Sequence, residues 1–432
     1  MLFYSIFFYI SFIVLFFILK KESFVLKSNQ LKAILFTSFT VGLIIRIIAA
    51  QSIEGFPSDI NCFKAWSIAA AENLSDFYSG KIFCDYPPTY IYILAIIGKI
   101  TKFLSFSSHF ILLIKLPAIL ADIASSYILY KTAKKLVSDK YGILFSLFYL
   151  FNPAVIINSA LWGQIDSFFS IFIMLSLLSL VHKKIGLSSA LFAVSILMKP
   201  QGLIFLPVLF FELVRQRNWK NFLVAFAYGI FAAFVIIIPF SRDPLWIFKL
   251  IIKTTQGYEY ASFNAYNFFS VLGANLKKDS EPLLIFTYNT WGFIFITLIT
   301  LLTGFFLIKN KKLNIIFLVS FFQIAGVFIF SSRMHERYLF PVILLGLMAS
   351  LFVNDIRLLY ISAAFSVTVY LNTYDVLYRM LYLNYPHIPS DDLKLLIFST
   401  INVLLFIYTL KVVIDIVLVD NIVKFPDGKE VE

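Results

Sequence analysis

The chain has 432 residues, 60% of them hydrophobic and only 14% charged, with a net charge of +12. A soluble domain carries about 25% charged residues, so a soluble globular protein is excluded. Continuous apolar runs recur throughout, which reads as an all-α polytopic integral membrane protein rather than a β-barrel of alternating strands. Lys and Arg gather in short loops, a topology signal rather than a nucleic-acid surface.

The first apolar run, 2–19, has no basic flank before it and no small-residue cleavage site, so it is expected to be a retained span and not a signal peptide. Lys20, Lys21 and Lys27 place the following loop inside and the N-terminus outside. Residues 31–50 cross outward and deliver the first long polar stretch, 51–88, with Asp59 about nine residues past the span. Residues 59–71 read as an amphipathic helix lying on the membrane, with Trp66 at the interface. Cys62 and Cys84 both fall in this loop, either bonded or as two free thiols. Residues 86–104 open with a Pro-Pro pair and contain Lys99 and Lys102. If they crossed, the basic stretch 131–140 would face outward, so they are expected to be interfacial or re-entrant.

Spans then follow at 110–130, 141–160, 167–181, 187–198, 202–213, 222–240, 284–308, 313–330, 339–353, 358–371 and 395–419, about thirteen in all. The basic turns containing Lys131, Lys183, Arg215, Lys309, Lys311, Lys312 and Arg357 fall inside. Two further outer loops are expected at 241–289 and 372–393, and a cytoplasmic tail at 420–432, so that 1–419 form one transmembrane domain. No internal repeat of the kind common in secondary transporters is visible. The Lys, Ile and Phe richness suits a prokaryote, hence a bacterial or archaeal cytoplasmic membrane with the polar loops outside.

Ionisable residues at the mouths of spans are expensive, and they are the functional candidates. Asp59 can act as a base toward a polar substrate, or simply suit a solvated loop. Asp166 follows the turn from Leu161 to Ile165 and either caps a helix or serves the site. Lys199 precedes Pro200 inside an apolar stretch. It either snorkels or lines a cavity, because a proline break is costly in lipid unless it faces one. Arg333, His335, Glu336 and Arg337 form the densest charge cluster beside any span, on the side where positive charge is unusual, and two guanidiniums suit a phosphate. Gly-rich nucleotide loops, zinc spacing, GxSxG and HExxH are all absent.

Several stretches together resemble the GT-C glycosyltransferases: Pro57-Ser58-Asp59, Trp66, Phe77-Tyr78, Asp85-Tyr86-Pro87-Pro88, Trp162-Gly163-Gln164-Ile165-Asp166, Met198-Lys199-Pro200-Gln201, Asn264-Ala265-Tyr266-Asn267-Phe268 and Met334-His335-Glu336-Arg337-Tyr338. They are most similar to bacterial mannosyltransferases related to the enzyme that adds the second mannose of GPI anchors. More distantly, they resemble the dolichyl-phosphate-glucose-dependent glucosyltransferases.

The resemblance implies an inverting transfer of a hexose, with mannose foremost, from a polyprenyl-phosphate-linked donor to a hydroxyl of a lipid or glycan acceptor on the outer face. It maps the base onto Asp59, with Asp85 as the rival acid. Arg337, His335, Lys199 and Arg333 would bind the donor phosphate, and Trp162, Gln164, Asp166, Asn264, Asn267 and Tyr86 the sugar or acceptor. Ser58 stands where many such enzymes have a second acid, so a divalent metal lacks a paired acidic motif and no cofactor is required. The alternatives are a transporter or flippase of lipid-linked sugars, for which Lys115 and Asp122, seven residues apart, could lie on one helical stripe, and a surface-polysaccharide polymerase or ligase using the long second outer loop.

Overall fold

A computed structural model describes residues 1–19, 27–103, 106–241, 245–310 and 314–426. The expectations for Lys20, Lys21, Lys311, Lys312 and 427–432 lie outside these residues. In chain order the helices are α1 (Leu2–Leu19), α2 (Ser28–Ser52), α3 (Pro57–Glu72), α4 (Pro88–Phe103), α5 (Phe110–Leu136), α6 (Asp139–Leu150) and α7 (Pro153–Ile156). A π-helical turn, Ile157–Trp162, leads to α8 (Asp166–Val181), α9 (Ile185–Ile196), α10 (Leu206–Gln216), α11 (Trp219–Ile237), α12 (Trp246–Gln256) and α13 (Phe268–Val271). The last are α14 (Tyr288–Lys309), α15 (Ile316–Phe330), α16 (Pro341–Val353), α17 (Ile356–Leu383) and α18 (Leu393–Ile414).

Among the described residues, seven helices are long and apolar enough to cross a membrane: α1, α2, α5, α11, α14, α17, and α18 extended to Val419. There are eight if α6 and the stretch Pro153–Trp162, bent by 40° from it, count as one span. The bend falls at Asn152-Pro153, where the Asn152 side chain accepts from the Ala154 N–H (2.9 Å) and starts a new helix.

The difference from about thirteen expected spans lies in short helices, among them the 11-residue α10 where a span was expected at 202–213. α8, α9, α15 and α16 are apolar but have 16, 12, 15 and 13 residues. At 1.5 Å per residue these measure about 18–24 Å, short of a ~30 Å hydrocarbon layer. Almost every residue of α15 and α16 is buried, so protein rather than lipid surrounds them and bilayer thickness does not set their length. The loop between them is buried as well: Ser331, Ser332, His335, Glu336, Leu339 and Phe340 all lie inside. The site is therefore sunk into the bundle.

Segment 86–104 is not a span-length helix. Its α4 packs along α3, and the two backbones approach at Gly98, where a Cβ would lie 2.2 Å from the Ser67 carbonyl oxygen. Ser67 Oγ donates to the Leu94 carbonyl in the same contact (3.0 Å). The surface role expected of Trp66 is not observed: its ring is buried, and its N–H donates to the Phe83 carbonyl (2.7 Å). The protein interior, not the lipid interface, satisfies this indole. Cys62 and Cys84 are free thiols.

The second loop, expected as 241–289, is built rather than open. It holds α12, α13 and a two-strand antiparallel hairpin, β1 (Pro282–Leu283) and β2 (Phe286–Thr287), registered Pro282 to Thr287 and Leu283 to Phe286. The third is half helix, because α17 continues to Leu383. The start of the expected tail is also docked. Ile356 N–H donates to the Val423 carbonyl (2.9 Å), and the Phe425 ring packs on Tyr141 (4.9 Å) and is buried.

Candidate active site

Pro57 occupies the first helical position of α3 and sets Asp59 in its first turn, where the helix dipole favours a carboxylate. The opposite wall is the break after the π-helical turn. Gly163 adopts φ +87°, and a Cβ there would meet Ile60 Cδ1 at 2.7 Å. Gly163 therefore turns the chain so that Trp162 and Gln164 both point at α3. Asp59 Oδ2 accepts from Trp162 Nε1 and from Gln164 Nε2, each at 2.7 Å. The Asp59 side chain keeps 22% of its surface exposed, so a substrate hydroxyl can approach it.

A second layer fixes those two donors. The Trp162 indole stacks on Phe56 (4.4 Å between ring centres, 7° between planes), and the Arg337 guanidinium lies 4.5 Å from its ring centre. Gln164 Oε1 accepts from Tyr86 OH (3.2 Å) and Lys199 Nζ (3.3 Å). Lys199 also bonds Asp166, which takes Asn158 Nδ2 (2.9 Å) on its other oxygen. Arg337 pairs with Glu336, and its Nη2 comes within 3.7 Å of Asp59.

The structure thus brings Asp59, Trp162, Gln164, Tyr86, Asp166, Lys199 and Arg337 together. Three of their contacts bear on the roles expected of them. Trp162 and Gln164 are buried with their polar groups taken, so in this conformation they position Asp59 and offer no open face to a sugar. Asp166 begins α8 without capping it and serves as the counter-ion of Lys199. Lys199, expected for phosphate, is committed to Asp166.

The Arg333–Arg337 stretch splits. Arg337 faces the Asp59 cluster. Arg333, at φ +62°, pairs with Asp279 (2.6 Å), and with Met334 and His335 it lines a cavity of about 610 Å³. His335 lies between the rings of Tyr258 (4.4 Å), Phe263 (4.7 Å) and Tyr338 (4.9 Å), and its Nε2 has no hydrogen-bond partner among the described residues. Burial, reinforced by Arg337 and Lys199, pushes its imidazole well below the usual histidine range, so the ring is neutral.

Asn264 and Asn267 lie outside this cluster. Asn264 bonds Pro386 and Ile388 of the third loop, and Asn267 caps α13 and reaches the Ser331 carbonyl. Both are buried ties between loops.

Asp85 sits close enough to Asp59, Lys199 and Arg337 to feel their charges, but burial dominates and raises its carboxyl above the ordinary range. Burial raises Glu336 too. Among the described residues no three His, Cys, Asp or Glu side chains converge as a metal site.

The sequence reading missed Asn158, Phe56 and Tyr258. Asn158 was hidden in an apparently continuous apolar run, and only the π-helical turn aims it at Asp166. Tyr258 carries φ +57°, uncommon for a bulky residue, which composition does not reveal.

An all-α membrane bundle with an accessible carboxylate and paired cations sunk in one mouth has the build of a membrane glycosyltransferase. The family model for Glycosyltransferase family 87 matches residues 83–332, more than half of the chain, and the protein belongs to that family. The match includes Asp85, Tyr86, the Trp162–Asp166 turn and Lys199, while Asp59, His335 and Arg337 flank it. No curated protein matches the chain.

Proposed function

We propose that this glycosyltransferase moves a hexose, with mannose favoured by the resemblance, from a polyprenyl-phosphate donor to an acceptor hydroxyl at the outer face of a prokaryotic cytoplasmic membrane. The observation that carries the donor is the shape of the cavity beside His335. Its polar end is made by Arg333, His335, Ser331, Ser332 and Tyr258, and its other end by Leu203, Ile204, Phe293, Ile296 and Val327. A second, apolar cavity of about 790 Å³ between α9, α10 and α11 shares Leu203, Pro207 and Thr300 with it. An isoprenoid tail headed by a phosphate suits a groove that carries a guanidinium and an imidazole at one end and is mostly apolar, with scattered amides and hydroxyls such as Gln323 and Thr300, over the rest.

In this reading Asp59 removes the acceptor proton, the oxygen attacks the anomeric carbon, and the carbon–phosphate oxygen bond breaks with inversion. His335 and Arg333 lie at the polar end, where the leaving phosphate gains charge, and Arg337 adds positive potential beside Asp59. The transporter alternative loses support. Lys115 donates to the Ala50 and Ile53 carbonyls, and Asp122 pairs with Arg46 and Ser159, so both charges are engaged within the bundle rather than lining a path.

Thr300→Trp, at the junction of the two cavities, tests the donor. It should raise KM for a long-chain polyprenyl-phosphate sugar while leaving a short-chain analogue nearly unaffected. An equal effect on both would remove the tail from this groove.

A further inference from the structure

α17 outruns its neighbour. Phe16 packs on Tyr360 (5.8 Å), and Tyr9 OH meets Ser366 Oγ (3.0 Å), so α1 and α17 are antiparallel. Continued, that register sets the start of α1 near residue 373, and α17 extends beyond it by roughly 15 Å. This extension lies on the face that carries the active site, because Asn264 ties the loop after it to the segment that packs on His335.

A tyrosine ladder climbs from the buried part of α17 onto the extension. Tyr370, Tyr374, Tyr378 and Tyr382 follow at one-turn intervals, the innermost pair stacked and the outer two pairs tilted, with ring centres 5.6, 5.9 and 4.8 Å apart. Exposure rises outward, from 1% at Tyr370 to 42% at Tyr378 and 70% at Tyr382, and Tyr385 beyond is 58% exposed. Arg379 is held between Asp375 (3.2 Å) and Asp392 (2.6 Å) beside the ladder, a charged network that belongs in water rather than hydrocarbon. A run of rings then leads back to the cavity: Tyr385 to His387 (5.2 Å), His387 to Phe263 (5.3 Å) and Phe263 to His335 (4.7 Å).

A membrane-interface belt gathers its aromatic rings at headgroup level. This ladder instead runs three turns along an axis leading away from the bundle, next to an ion-pair network. Exposed phenols with flat apolar faces and polar tips match a chain of pyranose rings, which present C–H faces and peripheral hydroxyls. We propose that the ladder is a ledge for the saccharide part of the acceptor, an oligosaccharide of several neutral sugars, held there while its reacting end reaches Asp59. This rests on the transfer reaction proposed above.

The test is saturation-transfer NMR on the full chain in detergent, with manno-tetraose and with gluco-tetraose as probes. Three proteins are compared: wild type, Asp59→Asn, and Tyr378→Ala/Tyr382→Ala. At least one tetraose should bind wild type and Asp59→Asn alike, and bind the double tyrosine variant about fivefold or more weakly. Equal binding by the tyrosine variant overturns the ledge and points to an interfacial belt. Binding of neither probe to wild type also overturns it, and sugar transfer by that same wild type would leave the catalytic reading standing. If the double variant fails to fold, Tyr382→Ala alone carries the comparison, since that ring is the most exposed of the ladder.

Discussion

The Trp162 indole N–H and the Asp59 carboxylate lie 2.7 Å apart across 103 residues of chain. That bond joins the first turn of α3 to the break before α8. It holds one carboxylate oxygen still while the side chain stays partly open. An acid fixed in this way has its orientation set before substrate arrives.

Trp162→Phe removes that donor and preserves the stack on Phe56. A hydrogen bond to a charged group is worth roughly 1.5–3 kcal/mol, so kcat/KM for sugar transfer, measured below the unfolding transition of the variant, should fall about tenfold or more. An unchanged kcat/KM would mean that Gln164 alone orients Asp59.

Lys199 and Asp166 form a pair with side chains only 5% and 6% exposed. Removing one partner of a buried pair costs roughly 3–5 kcal/mol, whereas removing both costs far less. Lys199→Met should therefore lower the unfolding temperature markedly, and Lys199→Met with Asp166→Asn should recover much of the loss. Additive losses in this double-mutant cycle would show that the two charges do not stabilise each other.

Much of this arrangement was legible in the sequence. The apolar runs located the long helices, and Asp59, Lys199 and Arg337 stood out because charge beside a span is costly. Three features were not legible. Run length cannot tell a span from a buried short helix, and α15 and α16 are the latter. Asn264 and Asn267, singled out by the resemblance, tie loops together, which was hidden because hydrogen-bond partners such as Ile388 and Ser331 are distant in sequence. Trp66 suits a membrane surface equally well until the Phe83 carbonyl appears beside it.

His335 makes a prediction in pH. Its imidazole is held below the ordinary histidine range when folded and returns to about 6.5 when unfolded. Below about pH 6.5 the unfolded chain binds a proton that the folded one refuses, so His335 makes stability fall as pH drops. Asp85 and Glu336, raised by burial, act in the opposite sense as pH falls from their raised values toward the ordinary carboxyl range. Comparing wild type with His335→Asn isolates the histidine. Chemical unfolding at pH 7.5 and 5.5 should show a larger loss in wild type, and an equal loss would contradict a neutral buried His335.

The most direct measurement is transfer of label from radiolabelled polyprenyl-phosphate-mannose into a mixed pool of lipid and glycan acceptors, by wild type and by Asp59→Asn. The glucose donor would be run in parallel. A positioned base contributes roughly 10²- to 10⁴-fold, so wild type should move label, while Asp59→Asn, folded and inserted normally, should fall by at least about a hundredfold. Label transfer by Asp59→Asn at the wild-type rate would remove Asp59 from the base role and leave Asp85 to be tested in its place.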